Sequence, residues 1–203
     1  MQLRHLLLCS VFIFFVLYAP QPLLGLFASH FSVSPASAGS LMTATMLPLA
    51  IAPLVYGLFL AKRNPLTILK IAMFVLAISC IAFTLAPSFE LLLLVRFIQG
   101  ITLPAALTAM TSYIGVTFQA DQLQRNMTLY IGSTIVGGYF GRMLAALFTD
   151  FLSWQSFYYV IALGLVLFAL AIPKSGIRAS IHAPNSPPLY LKQFTAPLVL
   201  TPY

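Results

Sequence analysis

Charged residues are scarce in this chain. Asp, Glu, Lys and Arg together make up 6% of its 203 residues, whereas hydrophobic residues make up 61%. A soluble domain carries about a quarter charged residues, because its surface must face water. The shortage excludes a water-soluble enzyme, a nucleic-acid-binding module and a disordered tail. It indicates a protein that crosses the lipid bilayer several times.

Groups that perform catalysis are missing from the apolar stretches. The 3 acidic residues lie at loop or helix-end positions, and the 3 histidines lie outside the apolar stretches. The 2 cysteines, Cys9 and Cys80, fall near opposite membrane surfaces, too far apart for a disulfide. The sequence has no metal-ligand spacing and no intramembrane nucleophile–base pair. We therefore expect neither an enzyme nor a cofactor.

Charge-free runs divide the chain into six predicted membrane spans. A helix needs about 20 apolar residues to cross about 30 Å of hydrocarbon. The polar breaks between the runs predict helices over residues 6–28, 41–60, 71–89, 89–116, 127–151 and 157–172. Connections between the six helices are short.

The positions of Lys and Arg orient these spans. Both residue types are retained on the cytoplasmic side of a membrane, whereas Asp and Glu have little influence. Outside the spans they occur at the N-terminus, in the second and fourth loops and in the tail, as Arg4, Lys62, Arg63, Lys70, Arg125, Lys174, Arg178 and Lys192. This alternation predicts a multi-pass protein of the bacterial inner membrane with both termini in the cytoplasm.

Two arginines fall inside predicted spans, where a cation usually faces a cavity or a partner. Arg96 lies about 10 Å below the outer end of the fourth helix, and Arg142 about 13 Å below that of the fifth. Gln21 lies at a similar depth in the first helix. These three side chains are predicted to share a pocket for an anionic or hydrogen-bonding ligand. Alternatively, each arginine extends outward to headgroups or to the outer-rim acids Glu90 and Asp150.

Prolines and glycines add a prediction about helix geometry. Broken helices often line cavities, and prolines are predicted to interrupt the first, second and fourth helices at Pro20, Pro22, Pro48, Pro53 and Pro104. In the fifth helix, Gly137 and Gly141 form a small-xxx-small step that lets another helix approach closely. Packing alone or a gating role would explain these glycines equally well.

Three segments together carry a resemblance to a known family. They are Tyr18-Ala-Pro-Gln-Pro22, Arg96-Phe-Ile-Gln-Gly100, and Gly137-Gly-Tyr-Phe-Gly-Arg142 ahead of Asp150-Phe-Leu-Ser-Trp154. The chain resembles the N-terminal half of a major facilitator superfamily transporter, in the drug-efflux-like branch with predicted arabinose-type efflux permeases. The resemblance implies an all-α integral membrane fold of six helices, built as a 3+3 inverted repeat.

The same resemblance implies roles for single residues. The first and fourth helices would line a central cavity, with Arg96 and Gln99 as coupling and pocket residues. The glycine-rich fifth helix would pack against an opposite half, with Arg142 among the gate residues, which also include Gly100, Gly137, Gly138 and Gly141. The implied function is efflux of a small solute by an antiporter, with proton coupling left open.

The second loop departs from the family pattern. Gly57, Lys62 and Arg63 match it, but Ala61 stands at the acidic position and Asn64 at the second glycine. In the family this loop latches the two halves together on the cytoplasmic side. The departure therefore puts normal gating in doubt.

Length is the other departure. Residues 1–172 are predicted to form the bundle, and residues 173–203 a cytoplasmic proline-rich linker with the truncated start of a seventh helix. Alternating access needs two bundles around a shared site, so a second six-helix half, a copy of itself or a separate chain, is an expected partner. The alternative is an inactive fragment of a twelve-helix transporter. The residues fit a sugar, an organic acid or a drug as substrate, and no nucleic acid.

Overall fold

A computed structural model describes residues 2–59 and 63–173 of the chain. The elements are helical: α1 Leu3–Tyr18, a 3-10 turn Gln21–Leu23, α2 Leu24–His30, α3 Pro35–Phe59, α4 Pro65–Thr84, α5 Phe89–Thr117, α6 Ala120–Phe151 and α7 Trp154–Ala171. Six segments are long and apolar enough to cross a membrane, the first formed by α1, the turn and α2 together. The predicted count of six spans is confirmed. The predicted linker and seventh-helix start lie outside the described residues, apart from Pro173.

Several helices begin earlier than predicted, because polar residues cap them. α3 starts at Pro35, where the backbone N–H of Ser37 donates to the Ser34 hydroxyl at 3.0 Å. α4 starts at Pro65, after Asn64, whose side chain accepts from the Leu66 N–H at 2.9 Å. Such caps satisfy the first N–H groups of a helix. Part of each polar segment between the apolar runs therefore belongs to the first turn of the following helix.

The predicted interruption of the first span is confirmed, whereas those of α3 and α5 are wrong. The chain leaves the α-helix after Tyr18 and makes its 3-10 turn at Gln21–Leu23. α3 and α5 continue through their internal prolines. The Tyr56 hydroxyl of α3 donates to the Ile101 carbonyl of α5 at 3.0 Å, in the turn before Pro104. Neighbouring helices help a membrane helix tolerate an internal proline.

The helices pack in an order that places α1 and α5 at the centre. α3 lies along α5, α1 along α6, and α4 between α5 and α7. Aromatic rings fill the space among α2, α4 and α7, where Phe27 meets Trp154 edge to face at 5.1 Å and Phe83 stacks on Tyr158 at 4.9 Å. Since lipid is as apolar as these side chains, their close packing, more than burial from water, holds such helices together.

Candidate solute site

Arg96 is fully enclosed by the bundle, with 0% of the residue exposed. Its Nη1 donates to the Val16 carbonyl at 3.0 Å, and its Nη2 to the Leu17 carbonyl at 3.1 Å. Its Nε donates to the Leu41 carbonyl of α3 at 3.3 Å. The guanidinium thus joins α5 to both α1 and α3 through backbone oxygens.

The break in the first span explains why those oxygens need a donor. In a continuous helix the Val16 carbonyl would accept from the N–H of residue 20, but Pro20 has none. The Leu17 carbonyl would accept from Gln21, where the chain has already entered the 3-10 turn. Arg96 supplies both bonds, so the proline break and the buried arginine form one unit.

A second layer of hydrogen bonds fixes Arg96 in place. Its Nη1 also donates to Oε1 of Gln99 at 2.7 Å, and the Gln99 amide donates to the Ser79 hydroxyl of α4 at 3.1 Å. The Thr45 hydroxyl of α3 donates to the Arg96 carbonyl at 3.2 Å. A Cβ placed on Gly100 would lie 2.5 Å from the Thr45 carbonyl oxygen, so glycine lets α3 and α5 approach this closely.

Arg142 occupies a more open position on the other side of α1. Its Nε donates to the side-chain oxygen of Gln21, and its Nη1 to the Gly138 carbonyl at 3.1 Å. The guanidinium carbon sits 4.0 Å from the centre of the Tyr18 ring, a cation–π contact. The residue is partly exposed, and Gln21 is exposed. Arg142 is therefore held in place while part of its guanidinium remains accessible.

The predicted single pocket is wrong, although its polar layer exists. Arg96 and Arg142 engage consecutive residues of α1, namely Val16 and Leu17 on one side and Tyr18 on the other. The two arginines thus lie at one level but face different directions. The depth of a side chain in the membrane follows from the number of residues along its helix and the rise per residue. The direction in which it points depends on the rotation of the helix about its axis, which is determined by the neighbouring helices.

An apolar groove lies beside Arg142, between α1, α3 and α5. It has a volume of about 400 Å³ and is lined by Phe14, Leu17, Tyr18, Leu49, Pro53, Pro104, Leu107, Thr108 and Thr111. Tyr18 connects the two features, because its ring lines the groove and also contacts Arg142. Apart from Tyr18 and the prolines, the sequence interpretation did not single out these residues. Only the prolines signalled a cavity, since apolar side chains look alike in every span.

The glycines of α6 contact α1 of the same bundle. A Cβ on Gly137 would lie 2.8 Å from the Val11 carbonyl oxygen, and one on Gly141 would lie 3.1 Å from the Phe15 Cα. The predicted close approach of another helix is thus confirmed, with α1 as that helix. These two glycines therefore face α1 of their own bundle, and not an opposite half as the resemblance implied. A Cβ on Gly138 would lie 3.2 Å from the Tyr18 ring, so this glycine leaves room for the ring under Arg142.

The remaining predicted residues lie away from the two arginines. Glu90 and Asp150 are exposed at helix ends, and neither is among the hydrogen-bond partners of Arg96 or Arg142 in the described chain. In the described chain neither carboxylate is therefore paired with either arginine, and their role at the outer rim stays a prediction. Gly57 falls near the end of α3, Arg63 is exposed in the following loop, and Lys62 lies outside the described residues.

Comparison with solved structures supports the fold. The chain superposes with a TM-score of 0.74 on a bacterial homologue of the human lysosomal transporter Spinster, crystallised in an inward-facing and unoccupied conformation. The match covers 84% of this chain and 41% of that one, at 17% sequence identity. At this identity the likeness concerns the fold alone.

Sequence comparison identifies the family. The chain is 32% identical over 142 residues to the uncharacterized MFS-type transporter YybF of Bacillus subtilis, covering 70% of this chain and 35% of that protein. It is 27% identical over 159 residues to the inner membrane transport protein YnfM of Escherichia coli, covering 78% of this chain and 37% of that protein. The matched part thus spans little more than a third of either relative. The sequence model of the Major Facilitator Superfamily matches residues 6–195, and the chain belongs to that family.

Proposed function

We propose that the chain forms one half of a secondary transporter that moves a small solute across the bacterial inner membrane, with both termini in the cytoplasm. A second six-helix bundle would face the groove between α1, α3 and α5. The direction we propose is efflux, which rests on the resemblance of the sequence motifs to the drug-efflux-like branch. Alternating access would then occur by rocking of the two bundles about the groove.

The open position of Arg142 beside the groove is the observation that carries this proposal. A cation inside a membrane helix is costly and usually serves a substrate or ion pathway. Arg96 is also costly, but its guanidinium is used by the bundle itself. Of the two intramembrane arginines, Arg142 is the one that is partly exposed.

Proton coupling, if present, needs a carboxylate from the second bundle. Within the described residues, the acidic side chains are Glu90, Asp121 and Asp150, and each lies in the first or last turn of its helix. None is at mid-membrane depth in this half, so Arg142 and Gln21 would act on the solute rather than relay a proton.

A flux measurement in proteoliposomes tests the proposal. The chain would be reconstituted alone, and also together with the part of YybF that lies beyond the matched region, and efflux of a panel of sugars, organic acids and drugs would be followed. We expect flux only when a second bundle is present, supplied by that part or by a second copy of the chain. The Arg142→Ala variant should abolish flux without loss of membrane insertion.

Arg125→Ala is the matched control, because Arg125 is an exposed arginine nearer the start of the same helix, α6. It should leave flux unchanged. Flux that survives Arg142→Ala would overturn the assignment of Arg142 to the pathway. The absence of flux for every solute, alone and with the second bundle, would favour the inactive-fragment alternative.

A further inference from the structure

The donor groups around Arg142 are only partly used. A guanidinium has five N–H donors, and Arg142 directs Nε to Gln21 and one N–H of Nη1 to the Gly138 carbonyl. In the described part of the chain, Nη2 has no hydrogen-bond partner. The amide nitrogen of Gln21 is likewise unpaired, and it belongs to the amide group that accepts from Arg142. Unused donors of two side chains therefore lie next to each other, and Tyr18, whose ring lies under the guanidinium and also lines the groove, connects them to it.

The charge beside the groove is uncompensated. No acidic residue lines the groove, and the oxygens that Arg142 contacts belong to a neutral amide and a backbone carbonyl. In a medium of low dielectric constant, an unpaired cation strongly favours an anion over a neutral or cationic ligand. A ligand site built on Arg142 would therefore discriminate between ligands by their charge.

The walls of the groove determine the size and polarity of the rest of the ligand. Phe14, Leu49, Pro53 and Pro104 offer apolar surface. Of the three hydroxyl-bearing residues in the lining, Tyr18, Thr108 and Thr111, the Thr111 hydroxyl is occupied by carbonyls of its own helix, at 3.0 and 3.2 Å. A sugar, with a hydroxyl on nearly every carbon, would leave most of its hydroxyls unpaired here, at about 1–3 kcal/mol each. A volume of about 400 Å³ fits a small molecule with an apolar body.

We infer that the solute is an amphipathic organic monoanion, whose carboxylate binds Arg142 and Gln21 and whose apolar body lies in the groove along Tyr18. This inference rests on the proposed function, since it names the substrate class of the same groove. It selects the organic acid among the sugar, the organic acid and the drug that the sequence left open, and it excludes cationic drugs. Tyr18 would contact both ends of the ligand, because its ring lies under the guanidinium and also lines the groove.

A set of ligands that differ only in charge tests the inference. Binding of 4-phenylbutyrate, 4-phenylbutyramide, 4-phenylbutylamine and arabinose to the purified chain in lipid nanodiscs would be measured by calorimetry, with empty nanodiscs to subtract partitioning. We expect the acid to bind about tenfold more tightly than the amide or the amine, as for one charge-assisted contact. Arg142→Gln should remove that preference, Arg142→Lys should keep part of it, and Arg125→Gln should keep all of it.

Three results would overturn the inference. They are binding of the amine or of arabinose as tight as that of the acid, an acid preference that survives Arg142→Gln, and no binding of any ligand. Flux of the same four compounds through the two-bundle transporter separates this inference from the proposed function. Transport of arabinose or the amine alone would leave the transporter proposal standing and reject the anion. Binding of the acid with no flux of any compound would support the anion as ligand and reject the transporter proposal.

Discussion

The two intramembrane arginines lie at the same membrane level but in different surroundings. Arg96 is fully buried, and its donors are spent on backbone oxygens of α1 and α3 and on Gln99. Arg142 is partly exposed, rests on the Tyr18 ring, and keeps donors that no group in the described chain uses. Both are held without a carboxylate. The difference is whether the neighbouring helices leave space beside the guanidinium.

If the proposed function holds, Arg96 serves stability and Arg142 serves solute recognition. Removing Arg96 leaves carbonyls of two other helices without a donor, whereas removing Arg142 leaves an amide and a carbonyl at the edge of an open groove. A mutation at the first position should therefore act on folding, and a mutation at the second on ligand binding.

Replacing Arg96 should cost the most. In Arg96→Met, a side chain of similar length fills the space, but the Val16, Leu17 and Leu41 carbonyls lose their donor. We expect the free energy of unfolding to fall by about 3 kcal/mol, since each unsatisfied buried group costs about 1–3 kcal/mol and bonds in membranes lie at the low end. Unfolding in mixed micelles measures this. A loss below about 0.5 kcal/mol would break the distinction between the two arginines.

Replacing Gly100 should have the next largest effect. In Gly100→Ala the new methyl group would lie 2.5 Å from the Thr45 carbonyl oxygen, so α3 and α5 must separate. Overpacking of this kind costs about 1–3 kcal/mol. Gly115→Ala on the same helix is the matched control, because a Cβ there meets nothing within 4 Å. Equal unfolding midpoints for the two variants would show that the contact between α3 and α5 tolerates a methyl group.

Replacing Arg142 should affect stability least. Arg142→Gln loses one cation–π contact of about 0.5–1 kcal/mol and two hydrogen bonds of about 0.6 kcal/mol each, less what the glutamine amide regains, so we expect a net loss of about 1 kcal/mol. Its unfolding midpoint in micelles should therefore stay closer to that of the wild-type protein than the midpoint of either variant above. A loss as large as that of Arg96→Met would mean that Arg142 also acts mainly as a structural residue.

Much of the fold follows from the sequence, because charge-free runs mark the spans and Pro20 marks the break in the first. The depths of Arg96 and Arg142 also follow, since each residue adds about 1.5 Å to a helix. Their directions do not, because in lipid both the packed and the outward faces of a helix are apolar, and hydrophobic periodicity then carries little information.

Two sequence features could still have indicated that Arg96 is enclosed. Gln99 follows it by three residues, so the two side chains share one helix face, as their 2.7 Å hydrogen bond shows. Pro20 follows Val16 by four residues, so the Val16 carbonyl must find a donor outside its own helix. Which donor reaches it depends on how α5 packs against α1, and that requires the structure.

Chemical labelling of position 142 shows whether Arg142 can be reached by a water-soluble solute. In a background with Cys9→Ala and Cys80→Ala, the variant Arg142→Cys would be treated with a membrane-impermeant, charged thiol reagent. Leu163→Cys is the control, because Leu163 is 61% exposed on α7, where we expect lipid rather than a groove. We expect the cysteine at position 142 to react and the cysteine at position 163 not to react. No reaction at 142, or equal reaction at both positions, would contradict a solute-accessible groove beside Arg142.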